Sequence, residues 1–406
     1  MKISKIISTI SAAALSASIF IGCTAAESEN PAENTANTAD TTNSTTEVVQ
    51  DMNTEITYTA SSDNVKHLGR TYFNEDKLYC ALSGTGAEFS FTGTKCSVSV
   101  YGDSNASNAS AADNHARVGI YVNGERVIDD MVDQMIEVYD VFESEEPQEV
   151  VVSVVKLSES PMSTIAVGEI KVEGTKIQPT PEKDLLIEFI GDSITCGYGV
   201  DDPDKDHHFV TATEDVTKAY AYKTAQALNA DYSMVSFSGY GIISGYTNGD
   251  KVPEQTVPQY YTKLGYSWSP NASFVPADVD WDFSKRQPDL IVINLGTNDD
   301  SYTQFDSDKK QEYCDAYVEF IKTIREKNPD AKILCTLGIM GDRLFEYVQF
   351  AAYTYTEETG DTNISSMKFD VQNPADGYSA DWHPSVTTHE KASEKLAAEI
   401  KSVLGL

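Results

Sequence analysis

The chain changes its pattern of apolar residues once, at Gln178-Pro179-Thr180-Pro181, and this change constrains the fold more than any other feature. Before it, apolar and polar residues alternate, as in Phe89-Ser90-Phe91. After it, short apolar runs alternate with helical stretches. Because paired prolines cannot continue a strand ladder, we interpret residues 177–184 as a linker between a domain at 52–176 and a domain at 185–406.

The first domain has the pattern of antiparallel β-structure. Alternation with period two is typical of strands that bury one face. The run Val118–Val122 leads into Asn123-Gly124, and Asn-Gly between two alternating segments is the strongest short-range hairpin signal. Further strands are predicted over 150–157 and 164–172, and no segment reads as a long helix. We predict an all-β sandwich of the jelly-roll type.

The second domain has the pattern of an α/β fold. Continuous apolar runs, typical of buried parallel strands, occupy 185–190, 234–237, 290–295 and 333–337. Helices are predicted near 219–228, 309–326, 343–358 and after Thr388. This alternation predicts a parallel sheet with helices on both faces, and ligand sites in such sheets lie at the carboxyl ends of the strands.

The N-terminus predicts export. Lys2 and Lys5 precede the small and apolar stretch Ile6–Ile21, which is the layout of a secretory signal over residues 1–23. No later apolar run reaches the length of a membrane-spanning helix, which excludes a polytopic membrane protein. The net charge of −33 repels nucleic acid and anionic membrane surfaces, so neither is expected as a partner.

The segment Phe20-Ile21-Gly22-Cys23 resembles a bacterial lipobox. This resemblance implies that Cys23 is lipidated and becomes the mature N-terminus of a cell-surface lipoprotein. The alternative is plain secretion after cleavage near Ala25 or Ala26. Residues 24–51 are rich in Thr and Asn and have no apolar periodicity, so we predict a disordered linker there.

The remaining cysteines give no sign of a metal site or a disulfide framework. Their count is odd, and they form no Cys-x-x-Cys pair: they are Cys80, Cys96, Cys196, Cys314 and Cys335. We interpret them mainly as small buried apolar residues, with a Cys80–Cys96 disulfide as the alternative.

Polar motifs follow three of the predicted parallel strands. Gly191-Asp192-Ser193 follows the first, where a tight turn exposes a hydroxyl and its own N–H. Ser238-Gly239-Tyr240-Gly241 follows the second, and a glycine N–H can approach a ligand closely. Gly296-Thr297-Asn298-Asp299 follows the third and offers an amide side chain. These loops are therefore expected to meet at one edge of the sheet.

A general base is expected from the few histidines. His67 and His115 lie in the predicted sandwich, and His389 lies on the terminal helix. The candidates that remain in the α/β domain are His207, His208 and His383. His383 stands in the motif Asp381-Trp382-His383-Pro384.

Together these motifs resemble the SGNH (GDSL-type) hydrolase superfamily. More closely, the arrangement is similar to carbohydrate esterase family 2, which joins an N-terminal jelly roll to an SGNH domain. The resemblance is carried by the segments 187–199, 236–241, 293–299 and 381–384, and it covers roughly residues 60–406. It implies an SGNH-type parallel sheet preceded by the all-β domain.

The resemblance also implies a serine esterase that removes acetyl groups from plant polysaccharides such as xylan and glucomannan. Ser193 is then the nucleophile that forms the acyl-enzyme, and His383 is its base. The oxyanion hole is formed by the Ser193 N–H, the Gly239 N–H and the Asn298 side chain, with Gly241 as the alternative to Gly239. Such chemistry needs an activated hydroxyl and preorganised donors, but no metal or cofactor.

The base loop departs from the superfamily pattern. The superfamily usually has Asp three residues before the His, where this chain has Ala380. Two alternatives follow: a backbone carbonyl orients His383 in a Ser–His dyad, or Asp381 is the third member of a triad. Trp382, which can stack on a sugar ring, and Asp192 are expected to bind substrate.

Two further segments have alternative interpretations. Trp268 and Trp281 lie in the long polar insertion 246–284, which is expected to form one wall of the cleft. The loop 202–208 is rich in Asp and His, but His207 stands where a calcium-binding EF-hand requires Gly, so we interpret it as a solvated acidic loop.

Three functions are compatible with these observations. The first is an exported acetyl esterase acting on an acetylated polysaccharide or oligosaccharide, without an obligate protein partner. The second is an esterase for another acyl ester, such as peptidoglycan O-acetyl groups or a lipid. The third is a surface carbohydrate-binding protein whose α/β domain is inactive.

Overall fold

The computed structural model describes residues 54–269 and 274–406. These residues belong to one compact unit. The predicted signal peptide 1–23, with the predicted lipidation at Cys23, and the predicted linker 24–51 lie outside the described residues. Among the helices that the structure describes, none combines the length and the apolar character needed to cross a membrane.

The N-terminal domain is a single antiparallel sheet that folds over on itself. Its ten described strands are β1 Glu55–Tyr58, β2 Lys66–Leu68, β3 Thr71–Asn74, β4 Lys77–Cys80, β5 Gly86–Gly102, β6 Ala116–Val122, β7 Glu125–Val132, β8 Ile136–Lys156, β9 Ile165–Gly174 and β10 Gln178–Pro179. The long strands β5 and β8 pair over most of their length, with register shifts near Gly93 that let them bend. The two ends of β5 therefore lie in opposite layers.

Apolar residues of both layers share one core. Phe89 and Val152 from one layer pack with Val98 and Ile170 from the other. The predicted hairpin is β6–β7, and its turn residues Asn123 and Gly124 both have positive φ, as a type I′ turn requires. The structure confirms the predicted all-β sandwich.

The C-terminal domain is built on a five-stranded parallel sheet with the order β12-β11-β13-β14-β15. The strands are β11 Leu186–Gly191, β12 Asp231–Ser236, β13 Leu290–Asn294, β14 Lys332–Ile339 and β15 Ile364–Val371, with a small antiparallel pair β16 Tyr378–Ser379 and β17 His383–Pro384. The α-helices are α1 Ser193–Cys196, α2 Tyr220–Ala227, α3 Thr297–Thr303, α4 Ser307–Lys327, α5 Phe345–Thr359 and α6 Val386–Leu404.

Short 3₁₀ helices complete the secondary structure that is described. They span Ala109–Asn114, Thr211–Thr213, Val216–Lys218, Val257–Gln259, Pro276–Asp278, Pro374–Asp376 and Ala380–Trp382. The predicted α/β fold and its four strands are confirmed. The edge strand β15 was not predicted, because its half-buried sequence alternates polar with apolar residues and contains no continuous apolar run.

The boundary between the two domains contains a short β-strand. Gln178 and Pro179 pair with Ser90 and Phe89 as strand β10, so the interpretation of the whole segment 177–184 as a linker is wrong. Proline is tolerated there because an edge strand does not need every N–H for its ladder.

A buried ion pair also connects the domains. The Arg70 guanidinium donates to both carboxylate oxygens of Glu188 on β11, at 2.9–3.0 Å. Both side chains are buried, so each charge depends on the other for solvation.

All five described cysteines are buried and free. This confirms their interpretation as small apolar residues. The alternative Cys80–Cys96 disulfide is not formed.

Candidate active site

The candidate nucleophile lies at the carboxyl end of the central strand β11. Ser193 is the first residue of α1, and the Asp192 carboxylate caps that helix by accepting the Ile194 N–H at 3.0 Å. A Cβ at Gly191 would lie 2.1 Å from the Thr195 hydroxyl oxygen, so only glycine permits this turn. Because the helix supplies no acceptor for its first N–H, the Ser193 N–H is available to a ligand.

His383 meets Ser193 from the C-terminal part of the chain. The His383 Nε2 lies 2.9 Å from the Ser193 Oγ. The His383 Nδ1 lies 3.2 Å from the backbone carbonyls of Ala380 and Asp381. Carbonyl oxygens can only accept, so Nδ1 carries the proton and Nε2 is free to accept from the Ser193 hydroxyl.

The His383 imidazole is held in its neutral form. Burial lowers its pKa to about 4, although the two carbonyl contacts act in the opposite direction. At neutral pH this side chain is therefore a proton acceptor rather than a cation.

The Asp381 carboxylate does not contact the His383 ring. It accepts from the Tyr198 hydroxyl at 2.9 Å and the Phe209 N–H at 3.0 Å, and its other oxygen lies 3.0 Å from His208 Nδ1. This corrects the alternative in which Asp381 is the third member of a triad. The residue instead fixes the base loop to the loop that contains Phe209.

The backbone of the base loop takes an uncommon path. Asp381 and Trp382 both have positive φ, at 51° and 62°. Consecutive non-glycine residues in this region are strained, and such strain is concentrated at functional sites. The turn brings two carbonyls to one imidazole nitrogen.

Trp382 and Tyr198 flank the base differently. The Tyr198 ring stacks on the His383 ring with centroids 4.0 Å apart. Trp382 is 50 % exposed, and Lys205 Nζ lies 4.5 Å from its ring centroid. Trp382 is therefore accessible from solvent beside the base, with Lys205 close to its ring, and its contact with substrate stays a prediction.

The loops after β12 and β13 carry the candidate oxyanion donors and leave the sheet at the same edge as Ser193, because β12 and β13 flank β11. Gly239 has φ 81°, and a Cβ there would meet nothing within 4 Å. Within 54–269 and 274–406 its N–H has no acceptor, whereas the Gly241 N–H donates to Gln255 O at 3.3 Å. This geometry favours Gly239 over Gly241. The buried Asn298 amide donates to Tyr240 O at 2.8 Å.

Asp192 lies beneath the site and not on its surface. It is fully buried, and its second oxygen lies 3.4 Å from Asn298 Nδ2. Burial raises its pKa to about 7. The prediction that Asp192 binds substrate is wrong, because its side chain is sealed between α1 and Asn298.

Asp299 was missed by the sequence analysis as a site residue. Its carboxylate accepts the backbone N–H groups of Ile242, Ile243 and Ser244 at 2.8–3.2 Å. It therefore holds the loop that continues from Gly239. An acidic residue directly after Asn298 was the available signal, but its partners are distant in the sequence.

Tyr198 was also missed, although it lies in the segment that carries the resemblance. The only available signal was its position five residues after Ser193. Nothing in the sequence shows that its ring meets a histidine 185 positions later, which is visible only in the folded structure.

The two tryptophans of the insertion are separated in the structure. Trp268 is 55 % exposed and meets Tyr266, whose ring lies 6.3 Å from that of Tyr240 beside Gly239. Trp281 lies against Arg70 and Lys285 instead. Trp268 is thus linked through Tyr266 to the loop of Gly239, whereas Trp281 lies away from that loop, and the cleft wall at 246–284 stays a prediction.

The other candidate histidines do not contact Ser193. His207 pairs with Asp202, and His208 pairs with Asp381, both at the exposed surface. The loop 202–208 is exposed or half-buried, in accord with its interpretation as a solvated acidic loop.

Each of the two domains matches a known family. Residues 189–391 match the GDSL-like lipase/acylhydrolase family, and residues 67–181 match the carbohydrate esterase 2 N-terminal domain. The chain is 38 % identical over 223 residues to the cellulase/esterase CelE of Acetivibrio thermocellus, which covers 54 % of this chain. It spans only 26 % of that relative's length.

Two further proteins resemble the chain over most of its length. An acetylxylan esterase/glucomannan deacetylase of Cellvibrio japonicus is 25 % identical over 365 residues, and the match covers 87 % of this chain and 92 % of that relative's length. The structure of an acetyl xylan esterase from the rumen bacterium Butyrivibrio proteoclasticus has a TM-score of 0.78 and 25 % identity. The superposed part covers 86 % of this chain and 99 % of the Butyrivibrio chain.

Proposed function

Because the chain belongs to the GDSL-like lipase/acylhydrolase family and carries a carbohydrate esterase 2 N-terminal domain, we propose that it is a serine esterase that removes O-acetyl groups from plant cell-wall polysaccharides. The observation that carries this proposal is the 2.9 Å contact between Ser193 Oγ and His383 Nε2. The opposite nitrogen of that ring is held by backbone carbonyls. The hydroxyl therefore has a neutral, oriented base.

The reaction proceeds through an acyl-enzyme. Ser193 Oγ attacks the acetyl carbonyl carbon while His383 Nε2 takes the hydroxyl proton. The tetrahedral oxyanion is stabilised by the Ser193 N–H, the Gly239 N–H and the Asn298 amide, each of which is worth about 3–4 kcal/mol in such sites. His383 returns its proton to the departing sugar oxygen. Water then attacks the acetyl carbon while His383 Nε2 takes a proton from it, the bond to Ser193 Oγ breaks, and His383 returns the proton to Ser193 Oγ as acetate leaves.

The substrate assignment has two supports. The relatives with similar length or fold are named for acetylxylan and glucomannan. Two tryptophans are also about half exposed, Trp382 beside the base and Trp268 on the insertion 246–284, and such rings can stack on neutral sugars. The net charge of −33 disfavours polyanionic substrates.

Acetate release tests this function. The purified protein and its Ser193→Ala variant are compared on acetylated xylan, acetylated glucomannan and 4-nitrophenyl acetate. We expect release from a polymer that disappears in the variant. Activity on the small ester alone would point to another acyl substrate, such as peptidoglycan O-acetyl groups or a lipid. Glycan binding without any acetate release would support a carbohydrate-binding protein.

We further propose that the protein acts outside the cell, held to the membrane by lipid on Cys23. Relatives named for cell-wall polysaccharides act on substrates too large to enter a cell. Cys23→Ala should move the protein from the detergent phase to the aqueous phase in a partition assay. An unchanged distribution would favour plain secretion with cleavage near Ala25 or Ala26.

A further inference from the structure

One loop of the β domain makes repeated contacts with the catalytic domain. This interdomain loop, residues 157–164, connects β8 to β9. Leu157 O accepts the Val216 N–H at 3.1 Å, and Pro161 O accepts the Trp268 N–H at 2.9 Å. The loop is therefore fixed on both sides of its central residue, Glu159.

Glu159 reaches two of the three segments that supply the proposed oxyanion donors. Its Oε2 accepts the Ser238 N–H at 2.8 Å, and Ser238 directly precedes Gly239. The Cys196 Sγ lies 3.9 Å from the same oxygen, although its thiol has a closer acceptor in Ser236 Oγ at 3.2 Å, and Cys196 ends the helix that Ser193 begins. One carboxylate oxygen from the β domain thus hydrogen-bonds one catalytic segment of the other domain and lies against a second.

The Glu159 carboxylate lies in a buried charged cluster. The ammonium of Lys156 donates to the backbone carbonyls of Ser158 and Glu159 at 2.6 and 2.9 Å. The Glu159 N–H donates to the Glu214 carboxylate at 2.8 Å. Burial raises the pKa of Glu214 well above its usual range. Burial also raises the pKa of Glu159 and lowers that of Lys156 to about 8, so every charge in this cluster is costly to bury.

Burying this carboxylate costs free energy that ordinary packing does not recover. Glu159 is fully buried, and its Oε1 has no hydrogen-bond partner among the described residues. An apolar residue would be less costly in such a place unless the acceptor oxygen has a task. The close hydrogen bond that the Glu159 side chain does make is to the Ser238 N–H, on the oxyanion side of the active site.

We propose that Glu159 is a positioning residue for the oxyanion hole, so that the β domain completes the catalytic site of the α/β domain. The inference rests on the proposed function. Holding the Ser238 N–H fixes the backbone from which the Gly239 N–H points. Displacement of a catalytic group by about 1 Å can cost 100-fold in rate.

Three variants separate this role from packing. Glu159→Ala removes the acceptor, Glu159→Asp keeps the charge but withdraws the oxygen, and Glu159→Gln keeps an acceptor without the charge. With 4-nitrophenyl acetate we expect the Ala and Asp variants to lose about 30- to 100-fold in kcat at nearly unchanged KM. Glu159→Gln should stay within about five-fold of the unmodified protein.

A second readout reports the oxyanion hole itself. An organophosphate ester phosphorylates an active serine and places its phosphoryl oxygen among the same donors, so its rate of inactivation should fall in parallel with kcat. The matched control is Lys66→Met, which removes an interdomain contact to Asp231 at the opposite end of the sheet. Asp231 keeps its contact with Arg286, so this variant should retain full kcat.

The outcomes separate the two proposals. If the unmodified protein hydrolyses no ester, the proposed function fails. If it hydrolyses the ester and both Glu159→Ala and Glu159→Asp keep kcat within three-fold, the positioning role is wrong. Glu159→Gln as slow as Glu159→Ala would also overturn it, since the hydrogen bond would then be irrelevant. Should Glu159→Ala fail to fold, the comparison of the Asp and Gln variants decides alone.

Discussion

Replacing Asp381 by Asn should have a small effect on ester hydrolysis. In the structure the His383 ring is held by the backbone carbonyls of Ala380 and Asp381, and both carbonyls remain in the variant. The Asn side chain keeps one acceptor oxygen for the Phe209 N–H and the Tyr198 hydroxyl, which share one carboxylate oxygen of Asp381. It also tolerates the positive φ of 51° at this position, which Ala would adopt only with strain.

The size of the rate effect follows from the one interaction that Asp381→Asn removes. The Asp381→Asn variant no longer carries the charge that faces His208, a side chain that is 95 % exposed. Exposed pairs contribute about 0–1 kcal/mol, so the rate can fall by at most about five-fold even if all of that energy reaches the active site. A serine hydrolase that depends on an aspartate to orient its histidine loses about 10⁴ in kcat from the same change.

The assay is kcat/KM for 4-nitrophenyl acetate at neutral pH, with the melting temperature recorded for both proteins. Ser193→Ala provides the inactive reference. A loss of about 1,000-fold or more at an unchanged melting temperature would refute the dyad and restore Asp381 as a third catalytic member.

Three more predictions follow from the site. Because burial lowers the pKa of His383 to about 4, kcat/KM should stay flat from pH 7 to about pH 5 and fall through about pH 4. At pH 5.5 a group with this pKa is ~97 % neutral, whereas an ordinary histidine is only ~10 % neutral. A fall of kcat/KM near pH 6.5 would therefore contradict the prediction. Asn298→Ala should lower kcat by about 10²–10³ with an unchanged fold by circular dichroism, and a loss below ten-fold would remove Asn298 from the oxyanion hole. Asp299→Ala removes the one carboxylate oxygen that accepts from the buried N–H groups of Ile242, Ile243 and Ser244, so thermal denaturation should show a stability loss of about 1–3 kcal/mol or more, which an unchanged melting temperature would exclude.

The lowered pKa of His383 also affects how the stability of the protein depends on acid pH. The folded His383 binds its proton less readily than an exposed histidine, so the native state is favoured above about pH 6.5. That contribution is lost as the pH falls from there toward about 4, the folded pKa. Activity and stability are therefore expected to decline over different parts of the acid range.

The sequence predicts the fold well where a periodicity exists. Continuous apolar runs identified β11, β12, β13 and β14, and the Asn123-Gly124 turn identified a hairpin. Strand β15 lies at the edge of the sheet with one face in solvent, so its burial is too weak to leave such a run.

Site residues were predictable when a motif carried them, and not when tertiary contacts did. Ser193, Gly239 and Asn298 follow consecutive neighbouring strands, and a parallel sheet necessarily brings those strand ends together. Asp192 belonged to the same motif, yet its short side chain turns back to cap its own helix. Glu159 lies in the other domain, and no local pattern links it to Ser238.

Strand β10 has a consequence for how this protein can be divided. The junction that looks like a flexible connector is part of a sheet, with Gln178 and Pro179 paired to Ser90 and Phe89. A truncation or fusion boundary placed at 177–184 would therefore remove a strand from one domain and uncover Glu188, which faces Arg70, in the other. The exposed core would invite aggregation and proteolysis. The two domains should therefore be expressed, or fused to other proteins, as one unit.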